Sequence, residues 1–347
     1  MHIFRRGPAL SSMGCEHRGM NHWDRLSEIR THMMSRAQLR AEGVHDRAIE
    51  HAVRTGELHR VARGHYVAGA TWAAWHPDWR HLALASAVDL DATRRRPVFS
   101  HLTAAAIHGV ACYGIGNERV HVTLRSRNHQ RRSTRMIQHE ARVADDELTE
   151  VDGLWCTSLG RTLRDVARFA RPEQAAVVLD AGLRMLFGGA DDIDAEREWR
   201  ARQLSELSAL APARGVRVAQ GRFAHADGRA ESVAESLSRL QLRRLGYEVR
   251  LQPTVAAPGG GVYRIDFELL GAATFGEVDG DVKYTSSEML GGRTPRDVVL
   301  AEKQREDWIR GTTGFGFVRW DFATSRSANA LAERLRAFHV PPPLRRT

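Results

Sequence analysis

The stretch RIDFELLGAATFGEVDG, residues 264–280, sets four acids, Asp266, Glu268, Glu277 and Asp279, into a short and otherwise apolar segment. Gly271 and Ala272 read as a two-residue hairpin loop, with glycine where a type II′ turn needs it. In that register Leu270 faces Ala273, Glu268 faces Phe275, Asp266 faces Glu277 and Arg264 faces Asp279. Side chains alternate between the two faces of a strand. Tyr263, Ile265, Phe267, Leu269 and Val278 are therefore expected on a core face, and the carboxylates on the other.

The flanks extend the pattern. ESVAESLSRLQLRRLG (231–246) reads as a helix packed through Val233, Ala234, Leu237, Leu240 and Leu245 and stopped by Gly246, with Glu235 leaning over the sheet edge. VLAEKQREDWIRG (299–311) reads as a second helix and FGFVRW (315–320) as a strand, with Trp308 and Trp320 in packing positions. The αβββαβ-like order, with SVAES, RIDF, GEVDGDVKY, AEKQRED and GFVRW in succession over about 225–322, resembles the PD-(D/E)XK nuclease superfamily, and within it the very-short-patch-repair-endonuclease-like branch. The resemblance implies a restriction-endonuclease-like mixed sheet flanked by helices over 225–340, and hydrolysis of DNA phosphodiesters with Mg²⁺ or Mn²⁺.

Such chemistry needs a cation that takes hard oxygen ligands, polarises the phosphoryl group and lowers the pKa of an attacking water. Asp266 and Glu277 are the expected ligands, with Glu235 as a third oxygen source and Asp279 assisting. Lys283 or Lys303 is expected to stabilise the developing charge. At a separation of about 5 Å and an effective dielectric of about 20, two carboxylates repel by about 3 kcal/mol, so an empty pair favours a cation or a retained proton. The position of the superfamily lysine, two residues after the acid, holds Asp279, which leaves the general base unidentified. Arg264, Lys283, Lys303 and Arg305 are also placed to neutralise the acids, so a salt-bridge network on a solvated sheet face is the competing reading.

From Met20 to about Ala70 the pattern is short helix, short helix, helix, hairpin. Ser35 followed by Gln38 is a capping-box signature, and Gly43 closes that helix. Asp46 is expected to cap the next, with Ala48, Ile49, Ala52 and Val53 as its buried stripe and Gly56 as its stop. Arg47, Glu50, His51 and Arg54 fall on its outer face. LHRVARGHYV (58–67) alternates around Arg63-Gly64 as a two-stranded wing would. With GELHRVARGHYV, VFSHLTAAAIHG and TSLGRTLRDVA, the region resembles the winged helix-turn-helix and following segment of AbiEi-like antitoxins. That resemblance implies a second helix in the DNA major groove and a wing on phosphates. Arg47, His51, Arg54, Arg60 and Arg63 are the expected DNA contacts; a small three-helix module with a solvated basic face is the alternative.

Residues 71–190 read as an α/β middle domain: a helix over 100–109 capped by Ser100, a strand over 119–126, and amphipathic helices over 158–170 and 174–187. Between the strand and the next helical part, RSRNHQRRSTR carries Arg125, Arg127, Arg131, Arg132 and Arg135 with no acid among them, and reads either as a phosphate-tracking loop or as a solvated one. Residues 191–224 read as a helical connector and 1–19 as disordered, with Met20 a possible start. His59, His65, His101, His108, His121 and His129 are dispersed along this half and read as structural or solvated.

The bulk numbers agree with a mixed α/β protein of several domains: 347 residues, 42% apolar, and no apolar run of the roughly 18 residues a membrane span needs. Lys and Arg number 51 against 42 Asp and Glu, which makes a polyanion the first partner to consider. Cys15, Cys112 and Cys156 are too few and scattered for a disulfide framework, which fits a reducing cytoplasm. The expected function is binding of double-stranded DNA through a winged helix with Mg²⁺-dependent cleavage by the C-terminal domain. The alternatives are a non-catalytic antitoxin-type transcriptional regulator and a module that neutralises a toxin protein. Oligomeric state is left open.

Overall fold

The computed structural model describes residues 22–93, 95–116, 118–124, 134–188, 193–279 and 295–343. Lys283, Arg125, Arg127, Arg131, Arg132 and the segment 1–19 lie outside them. The chain is mixed α/β and divides into two units, one running through Gln174 and taking in Arg202–Gly221, the other made of Ala175–Ala201 and Arg222 onward.

The first unit opens with α1 (His22–His32), β1 (Met34–Ser35), α2 (Arg36–Ala41), α3 (Asp46–Thr55), β2 (Leu58–Ala62) and β3 (His65–Ala68). Ser35 caps α2: its Oγ accepts from the Gln38 N–H at 3.1 Å, and Gln38 Oε1 accepts from the Ser35 N–H at 2.7 Å. Asp46, expected as the cap of α3, is instead its first residue, and its carboxylate is held by Arg40 and by Arg36; His45 is the N-cap. Ile49 and Ala52 join Leu39, Val44, Leu58 and Tyr66 in one core cluster, with Val53 partly buried against it. Ala48 is exposed, because it sits about 100° round the helix from Ile49, at the rim of the stripe. The three strands form a sheet in the order β1-β3-β2, with the hairpin turning at Arg63-Gly64.

There follow α4 (Gly69–Ala74), α5 (Pro77–Leu90), β4 (Val98–Phe99), α6 (His101–Ile107), β5 (Val120–Leu124), β6 (Met136–Glu140), β7 (Leu148–Val151), β8 (Leu154–Thr157) and α7 (Leu159–Phe169). The strands form a mixed sheet in the order β6-β5-β4-β8-β7, with β5–β6 and β4–β8 parallel. Every residue of α6 is buried. The Ser100 hydroxyl does not cap that helix; it lies 2.9 Å from Nδ1 of His101.

Over 191–224, read from the sequence as a helical connector, the chain forms α9 (Ile193–Ala209) and α10 (Val216–His225), preceded by α8 (Pro172–Phe187). The second unit continues with α11 (Val233–Arg244), β9 (Val249–Leu251), β10 (Thr254–Ala256), β11 (Val262–Arg264), β12 (Phe267–Leu269), β13 (Thr274–Asp279), α12 (Pro295–Thr313), β14 (Gly316–Asp321), α13 (Phe322–Ser325) and α14 (Ala328–Ala337). A four-stranded mixed sheet runs β14-β13-β12-β9, and β10-β11 form a separate ribbon.

The hairpin register is Phe267 with Gly276, Glu268 with Phe275 and Leu269 with Thr274, as the sequence reading places them. The loop is longer than expected, spanning 270–273, with Gly271 at φ +77° and Ala273 at +44°. The facing pattern also differs. Phe267 and Leu269 pack with Leu242, Leu251, Val318, Trp320, Leu331 and Leu335, whereas Ile265 joins Phe275, Ile309 and Phe317 with Tyr263 against it. The strand turns over at Asp266, whose carbonyl accepts from the N–H of Gln252 on the partner strand, and Gln252 there takes a left-handed φ of +52°. Both faces are thereby covered, and Arg264 pairs with Thr254 instead of facing Asp279.

Helix α11 is buried on more sides than a single stripe. Besides Leu237 and Leu242 it buries Glu235, Ser236, Ser238, Arg239 and Gln241. Arg239 holds the fully buried Asp180 of α8 with Nη2 at 2.6 Å and Nε at 3.2 Å.

Candidate functional site

Two regions carry the expected functional residues, one in each unit. In the first, Arg47, His51 and Arg54 are exposed on the outer face of α3 with Glu50 between them. Residues three and four apart share a helix face. His51 Nδ1 lies 2.9 Å from an Arg54 nitrogen. The hairpin adds Arg60, whose guanidinium lies 5.9 Å from the Tyr66 ring centroid, and the exposed Arg63. A cleft of about 800 Å³ is lined by Arg36, Glu50, Arg60, Arg63, Gly64, Tyr66, Asp91 and Arg135. Tyr66 anchors it: its hydroxyl accepts from Arg36 at 3.0 Å. Arg135 reaches the Val61 carbonyl at 2.6 Å. The sequence reading did not single out Arg36, and it placed Arg135 only in the arginine-rich stretch 125–135; long-range packing, which no local pattern displays, brings Arg135 to this face.

In the second unit the expected ligands gather at one end of the four-stranded sheet. Glu235 is buried and accepts from the Glu231 N–H at 2.9 Å, the Ser232 hydroxyl at 2.8 Å and Gln252 Nε2 at 3.0 Å. Burial raises its pKa against these donors. The Gln252 N–H in turn donates to the Asp266 carbonyl at 3.1 Å. Asp266 Oδ2 accepts from the Val278 N–H at 2.9 Å, so this acid reaches onto β13 beside Glu277. Hydrogen bonds thus link Glu235, Gln252 and Asp266 to the end of β13.

Glu277 itself is engaged. Arg305 donates to its Oε1 at 2.6 Å and Arg319 approaches its Oε2 at 3.1 Å. Arg319 also meets Asp279 at 4.0 Å, Glu302, and Glu306 at 3.5 Å, and Arg305 meets Glu302 at 3.0 Å. Both guanidiniums are held above their ordinary pKa by these acids, burial opposing. Lys303, expected to reach inward, is exposed. The face of α12 turned to the sheet is the one carrying Glu302, Arg305, Glu306 and Ile309, and helix periodicity points Lys303 elsewhere. Arg264 reaches Glu231 at 2.7 Å. Among the described residues the carboxylates do not converge as a three-ligand cluster. Alongside runs a cleft of about 770 Å³ lined by Arg184, Arg229, Arg250 and Arg264 together with Glu231, Gln252 and Glu268.

These units define a mixed α/β protein with a basic helix-and-hairpin face and an acid-rich sheet edge. No protein-family model matches the chain. It is 31% identical over 218 residues to "Uncharacterized protein MT2308" of Mycobacterium tuberculosis (strain CDC 1551 / Oshkosh), and equally to "Uncharacterized protein Rv2248" of Mycobacterium tuberculosis (strain ATCC 25618 / H37Rv). The match covers 62% of this chain and 71% of each relative. The chain belongs to the family of these mycobacterial proteins. Among the described residues no helix is long and apolar enough to cross a membrane.

Proposed function

We propose that the chain binds double-stranded DNA as a winged helix-turn-helix protein, with α3 entering the major groove and the β2–β3 hairpin on the phosphates. One observation carries this reading: Arg60 and Arg63 of the hairpin line a single cleft with Arg36 and Arg135, beside the exposed Arg47 and Arg54. Arginines gathered on a surface built from a helix and a hairpin, outnumbering the acids Glu50 and Asp91 of that cleft, suit a duplex backbone. Fluorescence anisotropy with labelled duplexes tests it. Expected are saturable binding and an affinity that falls steeply with salt; no binding at 50 mM salt overturns it.

A second reading, metal-dependent DNA cleavage by the C-terminal unit, is favoured by the hydrogen-bonded run from the buried Glu235 through Gln252 to Asp266, which reaches β13 at Val278 beside Glu277. Their oxygens are the hard donors that Mg²⁺ or Mn²⁺ takes. Both oxygens of Glu277, however, carry guanidinium partners, so an ion there requires Arg305 or Arg319 to release it. This pairing fits an antitoxin-type regulator whose C-terminal unit binds DNA or a toxin protein without cutting. Supercoiled plasmid with Mg²⁺ or Mn²⁺ separates the two: nicking lost in Asp266→Ala and Glu277→Ala supports cleavage, and an inert wild type supports the regulator.

A further inference from the structure

Three histidines from separate elements of the first unit meet. His101 opens α6, His121 stands in β5 and His139 in β6. The parallel ladder sets His121 beside Ile137 and Thr123 beside His139, so His121, Thr123 and His139 share one sheet face. One ring nitrogen from each histidine lies within 4.8 Å of the others. Nδ1 of His121 and Nε2 of His139 are 2.9 Å apart, and the His101 ring stacks on that of His139 with centroids 3.6 Å apart.

Packing alone does not account for two atoms here. His101 is 4% exposed, yet its Nε2 is buried without a hydrogen-bond partner among the described residues, and Thr123 Oγ1 is in the same state. An unsatisfied buried polar atom costs about 1–3 kcal/mol. His101 also takes φ +53°, a left-handed backbone that non-glycine residues adopt sparingly. Strain and an orphaned lone pair fall on one residue, and that residue points into a cluster of imidazoles.

We propose that His101, His121 and His139 are the ligands of a transition-metal ion of the zinc class, with the fourth position left to a water molecule beside the Thr123 hydroxyl. Three imidazoles without a carboxylate suit Zn²⁺, Co²⁺, Ni²⁺ or Cu²⁺ and not the hard ions Mg²⁺ and Ca²⁺. The charged groups nearby permit it. Arg161 is matched by Asp165 at 3.0 Å and Glu147 at 2.6 Å, and Arg168 lies over the Phe169 ring and donates to the Arg214 carbonyl. Arg119 and the buried His81 complete the surroundings on the His121 side. Burial, with the neighbouring rings and arginines, holds His101 down to about 2 and His121 to about 3, and burial lowers His139, so lone pairs are free at neutral pH. A tetrahedral ion at about 2.0–2.1 Å from each nitrogen needs donors about 3.3 Å apart. Loading therefore opens the His121–His139 contact and swings His101 or His139 out of the stack.

The full chain, prepared without a histidine tag and stripped with chelator, is titrated with Zn²⁺ by calorimetry and with Co²⁺ by visible absorption. Expected are one ion per chain and the intense visible bands of four-coordinate Co²⁺. His101→Gln and His139→Gln each weaken Zn²⁺ binding by about 100-fold or more, beyond the 10–100-fold typical of losing an outer partner. His59→Gln, whose ring instead stacks on Trp72, leaves it unchanged. Should a variant fail to fold, the wild-type Co²⁺ spectrum decides alone. No saturable site, a weak six-coordinate spectrum, or unchanged affinity in the folded variants overturns the proposal.

Discussion

Arg305 of α12 donates through one nitrogen to both Glu277 Oε1 and the Arg264 carbonyl, each at 2.6 Å, and so ties the helix to β13 and to the β10-β11 ribbon. The contact closes the sheet face on which the carboxylates stand. Arg305→Ala leaves a largely buried Glu277 with Arg319 as its remaining cation. The expected cost is about 1–3 kcal/mol, read as a lower urea midpoint at unchanged slope, and Arg305→Lys recovers part of it because one ammonium cannot reproduce the fork.

Asp180 and Arg239 form the most buried ion pair described, and removing one partner strands a charge out of water. Burial raises the Asp180 pKa, with Arg239 opposing. Arg239→Met is expected to cost about 3–5 kcal/mol, whereas the double variant Asp180→Leu with Arg239→Met costs less than that single change. Equilibrium unfolding of the four proteins gives the coupling directly.

On the α3 face, Glu50 lines, with Asp91, the cleft that gathers Arg36, Arg60, Arg63 and Arg135. A carboxylate there repels a phosphate, so Glu50→Gln is expected to tighten duplex binding about two- to fivefold at low salt. Arg63→Ala is expected to weaken it and to reduce the slope of log K against log salt by about 0.9, the signature of one lost phosphate contact. Anisotropy titrations at several salt concentrations check both.

His81 is fully buried, with Nδ1 at 2.6 Å from the Gly116 carbonyl and Nε2 at 2.8 Å from the Thr103 hydroxyl. The Nδ1–H therefore donates and Nε2 accepts, and Thr103 Oγ1 already takes the His121 N–H at 2.8 Å. Burial holds His81 down to about 4, against about 6.5 when unfolded. A depressed folded pKa means that the unfolded chain binds the extra proton. The stability is fully present above pH 6.5 and is lost as pH falls toward 4, on the order of 3 kcal/mol for this group. His101 and His121 share the sign. Unfolding measured from pH 7 to pH 4 should show this decline, shallower in His81→Gln.

The register of the hairpin was readable because alternation and a central glycine constrain it symmetrically: lengthening the loop from two residues to four left Glu268 opposite Phe275. The switch of faces at Asp266 was not, since it accompanies a left-handed backbone at Gln252 on the partner strand, which no residue pattern announces. The guanidinium partners of Glu277 were half readable: Arg305 stands on a helix that the sequence reading set against the acids, whereas Arg319 meets Glu277 only through the parallel β13–β14 pairing. His101, His121 and His139 each look solitary along the chain, and it is the β5–β6 ladder together with the start of α6 that gathers them.

Gly276, the residue before Glu277, is required by Trp320. A Cβ built on it would lie 2.5 Å from Cη2 and 2.8 Å from Cζ3 of that ring. The ring cannot withdraw freely, because it is buried beside Phe267 and its Nε1 donates to the Ser238 hydroxyl at 2.8 Å. Gly276→Ala is therefore expected to cost about 1–3 kcal/mol by overpacking and to displace the strand that carries Glu277 and Asp279. Gly311, within α12, has nothing within 4 Å of a built Cβ and no positive φ. Gly311→Ala should thus stabilise by about 0.4–1 kcal/mol, through a less disordered unfolded chain and better helix propensity. Opposite signs for the two substitutions in thermal unfolding are the expected result. Equal effects would mean that the Trp320 ring does not press against β13 as described.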